Sequence, residues 1–90
     1  MAEQHEHRIK RLKMRSMRRG IKEMDLILQR FAEARLNGMD DAELTTYDTM
    51  LSENDHDLYQ WVTRQEAPPD DYAQLIEAII SDLPETRLYS

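Results

Sequence analysis

Apolar residues recur at helical intervals along almost the whole chain, and the spacing divides it into five segments. Between Arg8 and Arg18, the residues Ile9, Leu12 and Met17 stand among basic groups, with Met14 adding bulk. This predicts a short amphipathic helix with a narrow apolar stripe, interrupted at Gly20. Ile21, Met24, Ile27, Leu28, Phe31 and Ala34 or Arg35 share a face of a longer helix, Ile21 to Leu36, predicted to end in a left-handed turn at Asn37 and Gly38. Asp40 followed by Glu43 has the spacing of a capping box for a third helix, with the stripe Leu44, Tyr47, Met50 and Leu51. Asn54 or Asp55 recaps the chain ahead of a short helix bearing Leu58, Trp61 and Val62, which Pro68 and Pro69 are expected to close. Asp70 or Asp71 then starts a last helix whose buried face is Leu75, Ile76, Ile79, Ile80 and Leu83, stopped by Pro84. No stretch alternates with the period of a strand and no segment repeats. The predicted fold is all-α, a compact bundle of five short helices.

Ninety residues bound the chain to one domain with a thin core. The expected organisation is a flexible N-terminus over 1–7, a helical domain over 8–84 and a mobile tail over 85–90, in which Leu88 and Tyr89 form a candidate contact arm. A core of this size leaves no room for a closed pocket around a large cofactor. The absence of cysteine excludes disulfides, thiolate metal sites and a cysteine nucleophile. No apolar run is long enough to span a membrane, and the start is too polar for a secretory signal. Glu3 and Glu6 argue against an arginine-rich organelle leader. These features give the expectation of a soluble cytoplasmic protein.

The net charge of −6 conceals a division. From Met1 to Met24 eight Lys or Arg face three acids, a net of +5; from Asp25 to Ser90 four face fifteen, a net of −11. A basic end on an acidic body orients a molecule toward a charged partner, although ordinary solvated helix faces give the same count. Arg8, Lys10, Arg11, Lys13, Arg15, Arg18 and Arg19 also permit a nucleic-acid reading, against which the acidic remainder counts.

Chemistry concentrates at Arg18-Arg19-Gly20-Ile21-Lys22-Glu23, where one helix yields to the next. Gly20 can serve only to turn the chain, with Glu23 placed favourably at a helix start. Equally, an exposed Arg19 offers a fork of donors to a partner's carboxylates, phosphates or backbone carbonyls, with Glu23 close enough to orient it. Both readings stand on the residues alone. His56 lies between Asp55 and Asp57, but adjacent residues point around a helix and do not converge on a metal. His5 and His7 are expected to face solvent. No serine sits in a nucleophile elbow, no phosphate loop or zinc-protease pattern occurs, and enzymatic activity is not expected. Tyr47 and Trp61 fit apolar stripes, whereas Tyr59 falls off the Leu58 and Val62 face and is expected at an exposed edge with Asp57.

The chain resembles the small succinate dehydrogenase assembly factors that promote covalent flavin attachment, whose bacterial members were once described as antitoxin-like. The resemblance covers Arg8 to Leu83 and rests on two anchors, Arg19-Gly20-x-x-Glu23 and the stretch from Leu51 through Trp61. It implies a five-helix bundle that binds the flavoprotein subunit of succinate dehydrogenase, and in some bacteria that of fumarate reductase. While bound, the factor assists bond formation between FAD and a histidine of that subunit. FAD is then held by the partner and not stably by this chain. The resemblance assigns Arg19, Gly20 and Glu23, with Arg18 beside them, to the contact surface. Asp57 and Tyr59 become candidate contacts, while Leu58 and Trp61 hold helices together. A helper that must leave its partner is expected to act as a monomer. A third reading is an adaptor that binds a protein without changing its flavin.

Overall fold

A computed structural model describes residues 4–83. Five α-helices follow one another: α1 (His5–Arg15), α2 (Lys22–Arg35), α3 (Asp41–Met50), α4 (Asp55–Val62) and α5 (Asp70–Ser81), with no strand among the described residues. The all-α reading holds. Helix α2 packs on α1, α4 and α5, while α3 is covered by α1 and α5. Its Met24, Leu28 and Phe31 are buried along one face, as their spacing predicts. Against them lie Leu12 of α1, Leu44 and Tyr47 of α3, Leu58 and Val62 of α4, and Ile76 and Ile79 of α5. Each fully covered Leu or Ile contributes about 1.5–3 kcal/mol. The rings of Phe31 and Tyr47 approach to 5.8 Å, joining α2 to α3.

Besides the stop of α1 at Arg15 and not Arg18, helix boundaries depart from expectation in three places, each for a local reason. Helix α1 begins at His5, inside the segment expected to be flexible, because the Arg8 N–H donates to the Gln4 carbonyl and Glu6 favours the first turn. The other residues of that segment, 1–3, and the tail from Pro84 onward lie outside the described residues, and Leu88 and Tyr89 with them. Helix α2 does not end in a left-handed glycine: it tightens into a 3-10 turn, Leu36–Gly38, which buries Leu36, and neither glycine has positive φ. Helix α4 closes before the prolines. Arg64 adopts the left-handed conformation (φ 63°), the Gln65 N–H donates to the Gln60 carbonyl at 2.9 Å and the Arg64 N–H to that of Trp61 at 3.2 Å. Pro69 instead occupies the N-cap of α5.

Both halves of the expected capping box on α3 form, with the Glu43 N–H donating to Asp40 at 2.8 Å and the Asp40 N–H to Glu43 at 3.0 Å. On α4 the cap is Asn54, whose side chain accepts from the His56 N–H at 2.8 Å. That leaves the Asp55 carboxylate available for another task.

Candidate functional site

The basic face of α1 is largely spent inside the molecule. Arg8 donates to Thr45 at 2.6 Å, and Arg11 and Arg15 both bind the Asp48 carboxylate of α3. Lys13 approaches Glu33 of α2 at 3.9 Å. A row of cations turned toward a helix of this chain is a poor phosphate-binding track, which counts against the nucleic-acid reading. The Arg11 guanidinium, donating to Asp48, holds that carboxyl below the usual carboxylate range. Its contribution to stability is therefore complete at neutral pH and drains away as pH falls through the lowered folded value. The melting-temperature gap between wild type and Asp48→Asn is expected to be widest near neutrality and to close in acid. A gap that stays constant through the acid limb would sink this assignment.

At the end of α1 the chain turns over residues 16–21. Ser16 is buried, its hydroxyl donating to the Leu12 carbonyl at 2.8 Å and lying 2.6 Å from the Tyr47 hydroxyl. Burial pushes the Tyr47 phenol up to about 12, so it stays protonated throughout the physiological range. Arg18, and not Gly20, has positive φ in this turn (56°), and its N–H donates to Asp25 of α2 at 3.1 Å.

Arg19 is only 12% exposed at its side chain. Its Nε donates to Asp55 Oδ1 at 2.8 Å, with Nη2 2.7 Å from the same oxygen; Nη1 donates to the Arg15 carbonyl and Nη2 to that of Leu51, each at 3.0 Å. The other Asp55 oxygen, Oδ2, accepts the Gly20 N–H at 2.6 Å. A Cβ on Gly20 would stand 3.3 Å from that oxygen, tighter than ordinary contact. The glycine thus serves close approach, not a left-handed turn.

The structure separates residues that the sequence places together. Glu23 does not hold Arg19: it is exposed on the first turn of α2, and Asp55 takes that part. Arg18 and Asp57 are exposed as well. Tyr59 is half-buried and packs against the core, so it is not the exposed edge expected beside Asp57. Leu58 and Trp61 are buried. Asp55, within the second anchor, is expected from sequence only as an alternative cap of α4, a part Asn54 takes; no local pattern marks a partner 36 positions away.

A shallow, open depression of about 400 Å³ lies over this junction, lined by Arg19, Gly20, Ile21, Glu53, Asn54, Asp55 and His56. A second, of about 470 Å³, lies among α2, α3 and α5 and shares none of those residues. Among the described residues no three His, Asp or Glu side chains gather as a metal ligand set. No helix there is long and apolar enough to cross a membrane. Among the described residues, the large apolar side chains left exposed are Met14, Met17 and Leu26. The bond from the Arg18 N–H to Asp25 brings the backbone beside Met17 against the turn of α2 that carries Leu26.

The family model described as flavinator of succinate dehydrogenase matches residues 10–83. Curated relatives bear the name succinate dehydrogenase assembly factor 2, mitochondrial. The one from Meyerozyma guilliermondii is 46% identical over 54 residues, 60% of this chain and 40% of the relative. That from Scheffersomyces stipitis is 50% identical over 54 residues, 60% of this chain and 36% of the relative. That from Mycosarcoma maydis is 38% identical over 68 residues, 76% of this chain and 29% of the relative. The chain therefore spans well under half the length of these relatives. They also correct the cytoplasmic expectation, because all three are named as mitochondrial. Lack of cysteine and of a membrane span is common to both compartments, so composition had no power to separate them.

Proposed function

This chain belongs to the family of flavinators of succinate dehydrogenase, and we propose that it acts as an assembly factor, not as an enzyme. In this reading it binds the flavoprotein subunit of succinate dehydrogenase and promotes covalent attachment of FAD to a histidine of that subunit. The observation that carries it is the family match over residues 10–83, which takes in both anchors and reaches every helix of the bundle. FAD and the histidine belong to the partner. This chain contributes a surface that selects the arrangement in which histidine and flavin meet, a gain in orientation and population with no new acid or base. The flavoprotein of fumarate reductase is a second target of the same surface.

The docking face in this reading is the junction of α1 and α2. Arg18 and Glu23 stand exposed there beside Met14, Met17 and Leu26. Uncovered apolar side chains rimmed by charge suit a protein partner that binds and later leaves. Asp57 is a further contact of the rim, while Tyr59 supports it from its half-buried position. The factor works as a monomer.

Covalent flavin, counted after denaturation, should rise when the purified flavoprotein subunit is produced with this chain. Glu23→Ala and Arg18→Ala should each lower that yield, by about three- to tenfold at limiting factor, while melting as wild type does. Equal flavin with and without the chain, despite a stable complex, would make it an adaptor. Equal flavin and no complex would refute the assignment. Repeating the comparison with the fumarate reductase subunit decides the second target.

A further inference from the structure

We propose that Asp55 is a positioning residue of this factor, holding the α1–α2 junction in the shape that the flavoprotein recognises. The inference rests on the assembly-factor reading and adds to it a residue and a mechanism. Three observations meet at one carboxylate. Oδ1 binds Arg19 through Nε at 2.8 Å and Nη2 at 2.7 Å, and Oδ2 accepts the Gly20 N–H at 2.6 Å. Asp55 is only 16% exposed at its side chain, so the pair is screened less than a surface ion pair. It is also released from the usual duty of an acid at a helix start, because Asn54 caps α4.

The geometry divides the Arg-Gly-x-x-Glu pattern into an inner and an outer half. Arg19 and the N–H of the otherwise exposed Gly20 are directed onto Asp55 of α4, and Arg19 also donates to the carbonyls of Arg15 and Leu51. It therefore ties the end of α1, the end of α3 and the start of α4 to one point. Arg18 and Glu23, on either side of the clamp, carry their side chains exposed to solvent and to a partner, as does Lys22. Arg18 is presented by left-handed backbone, a conformation that non-glycine residues keep only when neighbours hold it. The Asp55 clamp on one side and the bond from the Arg18 N–H to Asp25 on the other supply that hold. Removing Asp55 releases the guanidinium and the Gly20 N–H together, and the junction loses its defined shape while the core beneath it stays packed.

Arg19 and Asp55 should therefore behave as one unit. Binding to the purified flavoprotein subunit is measured for wild type, Asp55→Ala, Arg19→Ala and the double variant, at a temperature where all four are folded. Each single change is expected to weaken binding about tenfold, and the double change by about the same factor and not its square. Covalent flavin at limiting factor should follow the same order, and amide exchange at Gly20 should accelerate in Asp55→Ala. Asp55→Asn keeps the size of the side chain and one carbonyl oxygen, so it should fall between wild type and Asp55→Ala; it serves in place of Asp55→Ala if that variant is unfolded. Wild-type binding by both Asp55 variants, with only a lowered melting temperature, would overturn the proposal, as would losses that multiply in the double variant. If wild type neither binds the subunit nor raises its flavin, the assembly-factor reading fails and this proposal with it. Gly20 exchange still reports on the clamp in that case. A flavin increase indifferent to Asp55 defeats the positioning role alone.

Discussion

Replacing Trp61 by Ala should destabilise the bundle severely and lower flavin attachment only as far as it lowers the folded fraction. Trp61 is 8% exposed, and its ring lies 5.8 Å from that of Tyr72, joining α4 to α5. Truncating a buried aromatic typically costs about 3–5 kcal/mol, because lost transfer energy adds to an unfilled cavity. A chain of this length has a total of roughly 5–13 kcal/mol to lose. The melting temperature should drop by on the order of 20 °C. Below the new transition, the surviving folded molecules keep the α1–α2 junction and should bind the flavoprotein as wild type does. Glu23→Ala has the opposite signature, with unchanged melting and reduced flavin. A Trp61→Ala protein melting within about 5 °C of wild type would show that the α4–α5 contact carries little of the stability.

The contrast between these two residues follows how much of the molecule local pattern can report. The stripes Met24, Leu28 and Phe31, and Leu44, Tyr47 and Met50, are buried as their periodicity requires, and the Asp40 and Glu43 box forms at the expected place. Tyr72 is legible as well, since it precedes Ile76 and Ile79 at helical spacing, although the expected stripe of α5 starts only at Leu75. Met17 belongs to the expected stripe of the first helix. Because α1 stops at Arg15, the period no longer applies to Met17, and it emerges 42% exposed.

What pattern could not supply is the pairing of distant charges. Arg11 and Asp48 are 37 positions apart, and Arg19 and Asp55 are 36 apart, so neither pair leaves a periodic trace. A count of charges read α1 as a basic face open to partners. In the fold, that face is turned onto the acids of α3. Glu23 was the nearest acid to Arg19 by sequence, but helical geometry carries it outward. The Arg19-Gly20 stretch was thus legible as a junction between helices, while its internal wiring needed the tertiary fold.

That wiring makes a graded prediction at Gly20. Its φ is not positive, so the backbone itself admits other residues, and the constraint is space beside Asp55. In Gly20→Ala the new Cβ meets Asp55 Oδ2 at 3.3 Å, and the carboxylate must yield by a few tenths of an ångström against the pull of Arg19. A loss under about 1 kcal/mol is expected. Gly20→Val adds two carbons beyond that contact and is expected to displace the carboxylate. The Gly20 N–H then loses its acceptor and Arg19 its counter-ion. Truncating one partner of a fully buried ion pair costs about 3–5 kcal/mol, and the residual exposure of this pair reduces the expected loss to about 2 kcal/mol. The melting temperature should fall by on the order of 10 °C, with covalent flavin reduced further than the folded fraction accounts for. Thermal unfolding and flavin yield on the same samples separate two reasons for a glycine here. If Gly20→Ala melts as wild type does yet loses flavin as fully as Gly20→Val, the space at Gly20 is reserved for the partner's backbone. If the two measurements fall together, small for Ala and large for Val, the space is reserved for Asp55.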